Sequence, residues 1–199
     1  AEMAKMICVV LNGGKDPSLG SATTNTYTDT VNHWAAPYIE YCTQLGIVAG
    51  KGDGTFAPND TVTASEASKM LLVALGYNAQ FESMIGSNWA VATNVLANRN
   101  GLYDGLTLDV SAGLTRDNAA QMMYNALDAK VVEYEYAVIP SGDSISSIAT
   151  AKYRDGEPTM LEYVFDAVKV TGIVLANEYG TVDNTKNAQK EGETWVKVT

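Results

Sequence analysis

Apolar residues recur with one spacing in three segments that align without gaps: "AEMAKMICVVL" (Ala1–Leu11), "SEASKMLLVAL" (Ser65–Leu75) and "DNAAQMMYNAL" (Asp117–Leu127). The first places Met3, Met6, Ile7, Val10 and Leu11 in register with Ala67, Met70, Leu71, Ala74 and Leu75, and with Ala119, Met122, Met123, Ala126 and Leu127. Steps of three and one trace a single face of an α-helix, so three equivalent amphipathic helices are predicted. The methionines could suggest a soft-metal or promiscuous groove, but at this spacing core packing is the better account. "TASE" (Thr63–Glu66) is a capping box that starts the second of these helices. "TRDN" (Thr115–Asn118) keeps the cap threonine at the third and puts Asn118 where the glutamate stood.

Another helix precedes each complete copy. In "HWAAPYIEYCTQLGI" the residues Trp34, Tyr38, Tyr41, Cys42 and Leu45 share a helical face, Pro37 fits a first turn and Gly46 a C-terminus. In "NWAVATNVLANRNGL" the residues Trp89, Ala92 and Leu96 repeat the idea, and Gly101 ends the helix. The unit is therefore helix, glycine-rich loop, capped helix. One such unit cannot bury its apolar face alone and must pack on its neighbours.

The loop "GKGDGTF" (Gly50–Phe56) could hold a phosphate or a calcium ion. A phosphate loop needs its lysine after the last glycine and a helix at once thereafter, whereas Lys51 precedes Gly52 and Gly54. A calcium loop needs oxygen ligands at alternate positions, and after Asp53 the next acid is Asp60. The glycines instead suit a tight turn with positive φ, followed by a short extended "TF" with Phe56 buried.

After Leu127 the pattern changes. "EYEYAV" (Glu133–Val138) alternates like a strand, "IPSGDSISS" reads as turn and loop, and "EPTMLEYVFDAV" (Glu157–Val168) has the spacing of a short helix. "VKVTGIVLANEY" and "TWVKVT" read as strands, and "GTVDNTKNAQKEGE" as a loop without an apolar anchor. A mainly α chain with a smaller β-rich (α+β) segment is expected.

The chain has 199 residues, is 46% hydrophobic and carries a formal net charge of −10. That balance, with lysines and arginines scattered, argues against nucleic-acid binding. No apolar run is long enough to insert in a membrane. The chain opens on helix interior without a start signal and stops within a strand pattern, so a piece of a longer protein is expected. Cys8 and Cys42 form no metal-ligand spacing; they read as two buried thiols or as a disulfide pair. The sole histidine, His33, has no linked nucleophile, so no catalytic residue, no metal site and no cofactor is expected.

The stretch "YTDTVNHWAAPYIEYCTQLGIVAGKGDGTFAPNDTVTASEASKMLLVALGY" (Tyr27–Tyr77) closely resembles an S-layer homology (SLH) module. The family pattern of aromatic-x-Asp, His-Trp-Ala, a helix ending in Gly-Ile-Val-x-Gly, Gly-Asp-Gly-Thr-Phe-x-Pro and Thr-Arg-x-Glu stands here nearly complete and in order. The resemblance covers residues 1 to about 128: the tail of a first module (1–20), a second module (21–80) and a diverged third (81–128), with residues 129–199 as the β-rich segment. It implies a pseudo-threefold, three-pronged helical domain that anchors a surface protein non-covalently to secondary cell-wall polysaccharide, often pyruvylated, on the bacterial cell surface (the S-layer).

That resemblance implies roles for four residues. Trp34 and Trp89 would stack on sugar rings, Asp29 would accept from sugar hydroxyls, and Arg116 would pair a ketal carboxylate in a charge-assisted fork. Each also has a structural reading, the tryptophans as core, Asp29 as a turn residue and Arg116 as a solvated first-turn side chain. The family arginine of the middle module is Ala64 here, and the third module lacks an aromatic-x-Asp directly before Trp89. The competing reading is a self-associating surface-layer or filament subunit whose modules no longer bind sugar.

Overall fold

The computed structural model describes residues 1–20, 25–141, 144–181, 191–192 and 194–198. It divides the chain into two compact units, Ala1–Asp166 and Ala167–Thr199. The first holds α1 (Glu2–Leu11), a 3-10 turn (Thr28–Thr30), α2 (Ala36–Gln44), α3 (Ala64–Ala74), α4 (Trp89–Arg99), α5 (Arg116–Asp128), a hairpin of β1 (Val132–Ser141) and β2 (Ser144–Tyr153), and α6 (Met160–Phe165). The second unit is a small antiparallel sheet of β3 (Gly172–Asn177), β4 (Gly180–Thr181) and β5 (Trp195–Val198), with β3 in the centre.

The three methionine-bearing segments are α1, α3 and α5. Helix α3 packs against α1, α4 and α5. Its residues Ala67, Leu71, Leu72 and Leu75 join Met3, Ile7, Met122 and Ala126 in one buried cluster. The apolar steps of three and one therefore do face a core, because burying each stripe removes it from water.

The capping box forms as its sequence implies: Thr63 Oγ1 accepts from the Glu66 N–H at 3.2 Å, and Glu66 Oε2 accepts from the Thr63 N–H at 2.9 Å. Thr115 accepts from the Asn118 N–H at 3.1 Å, half of the same device. A second full box, Thr159 with Glu162, starts α6 in the stretch read as a short helix.

A buried hydrogen-bonded chain links α3 to α4, while Thr93 Oγ1 on α4 is buried with no such partner. Ser68, fully buried on α3, donates to the Tyr103 hydroxyl at 2.8 Å, which donates to Asn94 on α4 at 2.8 Å. Gly76 ends α3 with φ 106°, and a Cβ there would meet the Val132 carbonyl oxygen at 2.3 Å. Glycine thus lets the start of β1 lie against the end of α3, where the Val132 N–H donates to Leu75 O.

Some expectations need correction. Helix α2 begins at Ala36, not at Trp34, and buries Ala36, Ile39 and Cys42; Tyr41, Leu45 and Trp34 are exposed. Pro37 explains the late start, since its fixed φ suits the first turn and no earlier position has a side-chain cap. Phe56 is only half-buried and lies against Tyr27, ring centroids 5.4 Å apart.

In "IPSGDSISS" most residues continue the hairpin, which pairs from Val132↔Tyr153 to Ser141↔Ser144; residues 142–143 lie outside the described residues. A polar run reads as loop, but ladder pairing with β1 overrides that propensity. Most of "GTVDNTKNAQKEGE" also lies outside the described residues. "VKVTGIVLANEY" and "TWVKVT" do contain β3 and β5, which pair antiparallel.

Met70 is almost fully buried on the face of α3. We expect Met70→Asp to unfold the first unit, because an unpaired buried charge costs several kcal/mol. Circular dichroism and a thermal melt check this; an unchanged helical signal and melting temperature would contradict the packing described.

Candidate functional site

The loop Gly50–Phe56 carries no ligand-shaped arrangement of its own acids. Asp53 Oδ1 accepts from the Thr55 N–H at 3.0 Å and from Thr55 Oγ1 at 2.6 Å, so this carboxylate closes its own turn. The Lys51 N–H donates to Thr55 O at 2.8 Å. Gly50 has φ 65°, and a Cβ there would meet the Tyr27 ring at 2.4 Å and Thr55 O at 2.6 Å. The glycine serves close approach of backbone to an aromatic ring.

Asp29 is exposed, yet its carboxylate is bound into this loop. Its Oδ1 accepts from the Phe56 N–H at 2.9 Å and its Oδ2 from the Ala57 N–H at 2.7 Å. Those backbone donors, the Phe56 N–H first, hold the Asp29 carboxyl below the ordinary range. Ala57 sits at φ 57°, a conformation rare for a residue with a Cβ. Asp29 therefore clamps a strained position, and both its oxygens are already engaged.

Two grooves open on the first unit. The larger, of about 1120 Å³, runs between α1 and the start of α5 and is lined by Lys5, Met6, Trp34, Asp60, Arg116 and Met123, among others. Trp34 is 56% exposed, with its ring 6.4 Å from that of Tyr38. Tyr38 donates to Asp16 at 2.7 Å, and Lys5 pairs with Asp16 at 2.7 Å, an interaction that raises Lys5 and lowers Asp16. The Arg116 side chain is 90% exposed and reaches Glu2 only at 3.8 Å. An exposed ion pair at that distance contributes little, so the guanidinium remains available.

The smaller groove, of about 560 Å³, is lined by Ile47, Lys51, Phe56, Glu66, Lys69 and Trp89, among others. Lys51 pairs with Glu66 at 3.4 Å. Lys69 Nζ stands 5.6 Å from the centroid of the half-buried Trp89 ring. Burial lowers the Lys69 pKa from its ordinary value.

The structure thus brings Trp34 and Arg116 to one groove, puts Trp89 in the other, and sets Asp29 among neither group of lining residues. His33 lies just ahead of α2, its Nδ1 accepting from the Ala35 N–H at 3.2 Å. Lys69 was missed from sequence, because a lysine inside an amphipathic repeat reads as a solvated position.

Ala64 is a further difference. It is fully buried, and the segment that follows α4 is hydrogen-bonded across the start of α3: the Leu114 N–H donates to Val62 O and the Ser65 N–H to Val110 O. Position 64 faces that contact, whereas Arg116, at the same place on α5, projects into solvent.

Residues 26–67 match the S-layer homology domain family. The chain is 30% identical over 120 residues to a cell surface protein of Thermoanaerobacter kivui, covering 60% of this chain and 15% of that one. It is 36% identical over 73 residues to cell surface glycoprotein 1 of Acetivibrio thermocellus, covering 36% of this chain and 3% of that one. It is 29% identical over 103 residues to endo-1,4-beta-xylanase A of Thermoanaerobacterium saccharolyticum, covering 48% of this chain and 9% of that one. The chain therefore spans a small part of each of these proteins, which include an enzyme as well as surface proteins.

The Asp29 clamp makes a pH prediction. Its folded pKa is depressed, so its contribution is present above the unfolded value near 4 and is lost as pH falls through the folded one. Asp29→Asn should be less stable than the wild type at pH 7, and the gap should close as pH falls below about 4. Urea melts from pH 7 downward check this; a gap that is constant or widens on acidification would contradict it.

Proposed function

We propose that this chain is a non-catalytic anchor that holds a larger protein at the bacterial cell surface by binding secondary cell-wall polysaccharide. In this reading residues 1–128 are SLH modules whose three methionine-bearing helices stand in a pseudo-threefold arrangement, and residues 129–199 are the β-rich segment that follows them. The observation that carries it is the placement of an exposed tryptophan, Trp34, and an open guanidinium, Arg116, on one groove of about 1120 Å³.

The chemistry supports an acidic sugar. A pyruvylated residue offers an apolar ring face, hydroxyls and one carboxylate. Trp34 supplies a stacking surface and Arg116 a planar pair of donors. The chain's net charge of −10 opposes approach of an anionic polymer, so local cations must offset it. Four of the 13 lysines and arginines line the two grooves: Lys5 and Arg116 in one, Lys51 and Lys69 in the other. In the smaller groove Trp89 with Lys69 would make the equivalent pair, the lysine standing in for the arginine that position 64 lacks. Asp29 then acts indirectly, by holding the loop that borders the site.

The test is co-sedimentation with purified cell-wall sacculi of an SLH-bearing bacterium, untreated and after mild acid removal of ketal-linked pyruvate. Arg116→Ala should weaken binding about ten- to a hundredfold, as a lost charge-assisted hydrogen bond of about 1.5–3 kcal/mol does. Its melting temperature should change little, because the side chain packs on little. Arg116→Lys should recover part of the affinity, and Trp34→Ala should weaken binding as well. Equal binding by wild type, Arg116→Ala and Trp34→Ala would place the anchoring elsewhere. No binding by the intact chain, with self-assembly in solution, would favour the surface-layer or filament subunit.

A further inference from the structure

Cys8 on α1 and Cys42 on α2 come from opposite sides of one helix packing. Their sulfurs are 3.6 Å apart, and the side chains are 1% and 0% exposed. Each thiol also lies on a carbonyl of the other helix: Cys8 Sγ donates to Tyr38 O at 3.7 Å and Cys42 Sγ to Ala4 O at 3.6 Å. Two thiols in van der Waals contact need only small side-chain rotations to reach bonding distance, provided the backbones are already close. Here the close approach is enforced by the buried faces of α1 and α2, which meet through Ala4, Ile7 and Ile39.

We propose that Cys8 and Cys42 are a modification site, oxidised to an intramolecular disulfide that staples α1 to α2. A pair of buried thiols packed only as small hydrophobes needs no mutual contact, whereas this pair meets sulfur to sulfur between two separate repeats. The bond would fasten the helix that forms one wall of the larger groove to the helix that follows Trp34. The oxidising setting rests on the surface reading above; the bond itself does not.

The electrons go to a small-molecule disulfide or a thiol–disulfide oxidoreductase. With oxidised glutathione, the Cys8 thiolate attacks one sulfur and expels a glutathione thiolate, leaving a mixed disulfide. Cys42, deprotonated in turn, attacks the Cys8 sulfur and expels the second glutathione thiolate. Two glutathione thiols gain the two protons and two electrons that the protein loses. Cys8 is the better first nucleophile, since its contact with Cys42 lowers its pKa, while that contact and burial raise Cys42. Because both sulfurs are buried, closure belongs to folding or to transient separation of α1 from α2.

The experiment refolds the full chain in a reduced and oxidised glutathione mixture, then denatures it, alkylates it and weighs it. The expected product is unalkylated and lighter than the reduced chain by two hydrogens. Trypsin should release peptides 6–15 and 16–51 joined to each other. Its melting temperature should lie several degrees above that of the reduced chain. Cys42→Ser should yield no linked peptides, and the double variant Cys8→Ser with Cys42→Ser should show no oxidant-dependent rise in melting temperature. Full alkylation of both cysteines, a glutathione adduct that never closes, or the same rise in the double variant would overturn the proposal. Sacculus binding is read separately on the same samples, so failure to bind wall leaves the mass result intact.

Discussion

Burial of α3 is the constraint on which the rest of the first unit depends. It is the element that touches α1, α4 and α5, and its apolar stripe runs from Ala64 to Leu75. Ser68 within that stripe is polar, yet its hydroxyl meets Tyr103 and through it Asn94, which satisfies that donor at the crossing of α3 and α4. Fixing α3 fixes where α1 and α5 stand, and these two helices are the walls of the larger groove. The larger groove lies along those two helices, and the smaller one takes part of its lining from the glycine loop.

The glycine loop is a second layer built on that core. Tyr27 packs on Phe56 and against Gly50, and Asp29 holds two backbone amides of the same segment. A sequence of glycines and one acid in a helical protein invites a ligand reading. Here the acids answer to their own backbone, because exposed N–H groups in a tight turn need acceptors and the nearest carboxylates supply them. The loop is thus a positional element: it borders the smaller groove, where Lys69 and Trp89 lie.

Much of this was legible in the residues. The period of the methionine-bearing segments, the Thr63–Glu66 box and the strand alternation of Glu133–Val138 all reflect local physics that the packing reinforces. The exposure of Trp34 was left open, since its helical spacing from Tyr38 and Cys42 reads as core while the family resemblance implies a ring free to stack. Only the late start of α2 at Ala36 turns it outward. Ala64 likewise reads as an arginine lost from an open site, although the contacts from Val110 to Leu114 bury it. Lys69 beside Trp89 was invisible because nothing local marks which solvated lysine of a helix will be half-covered by the next repeat. The hairpin extends beyond its sequence signal because strand pairing carries polar residues that propensity alone leaves in a loop.

An acidic sugar held between α1 and the start of α5 would cover the segments that border the larger groove. Hydrogen–deuterium exchange on the full chain, with and without purified pyruvylated wall polysaccharide, tests that placement most directly. The expected result is slowed exchange in residues 31–36, 58–62 and 114–120, with residues 194–198 unchanged. Unaltered exchange in all three segments at saturating polysaccharide, or protection confined to residues 167–198, would contradict it.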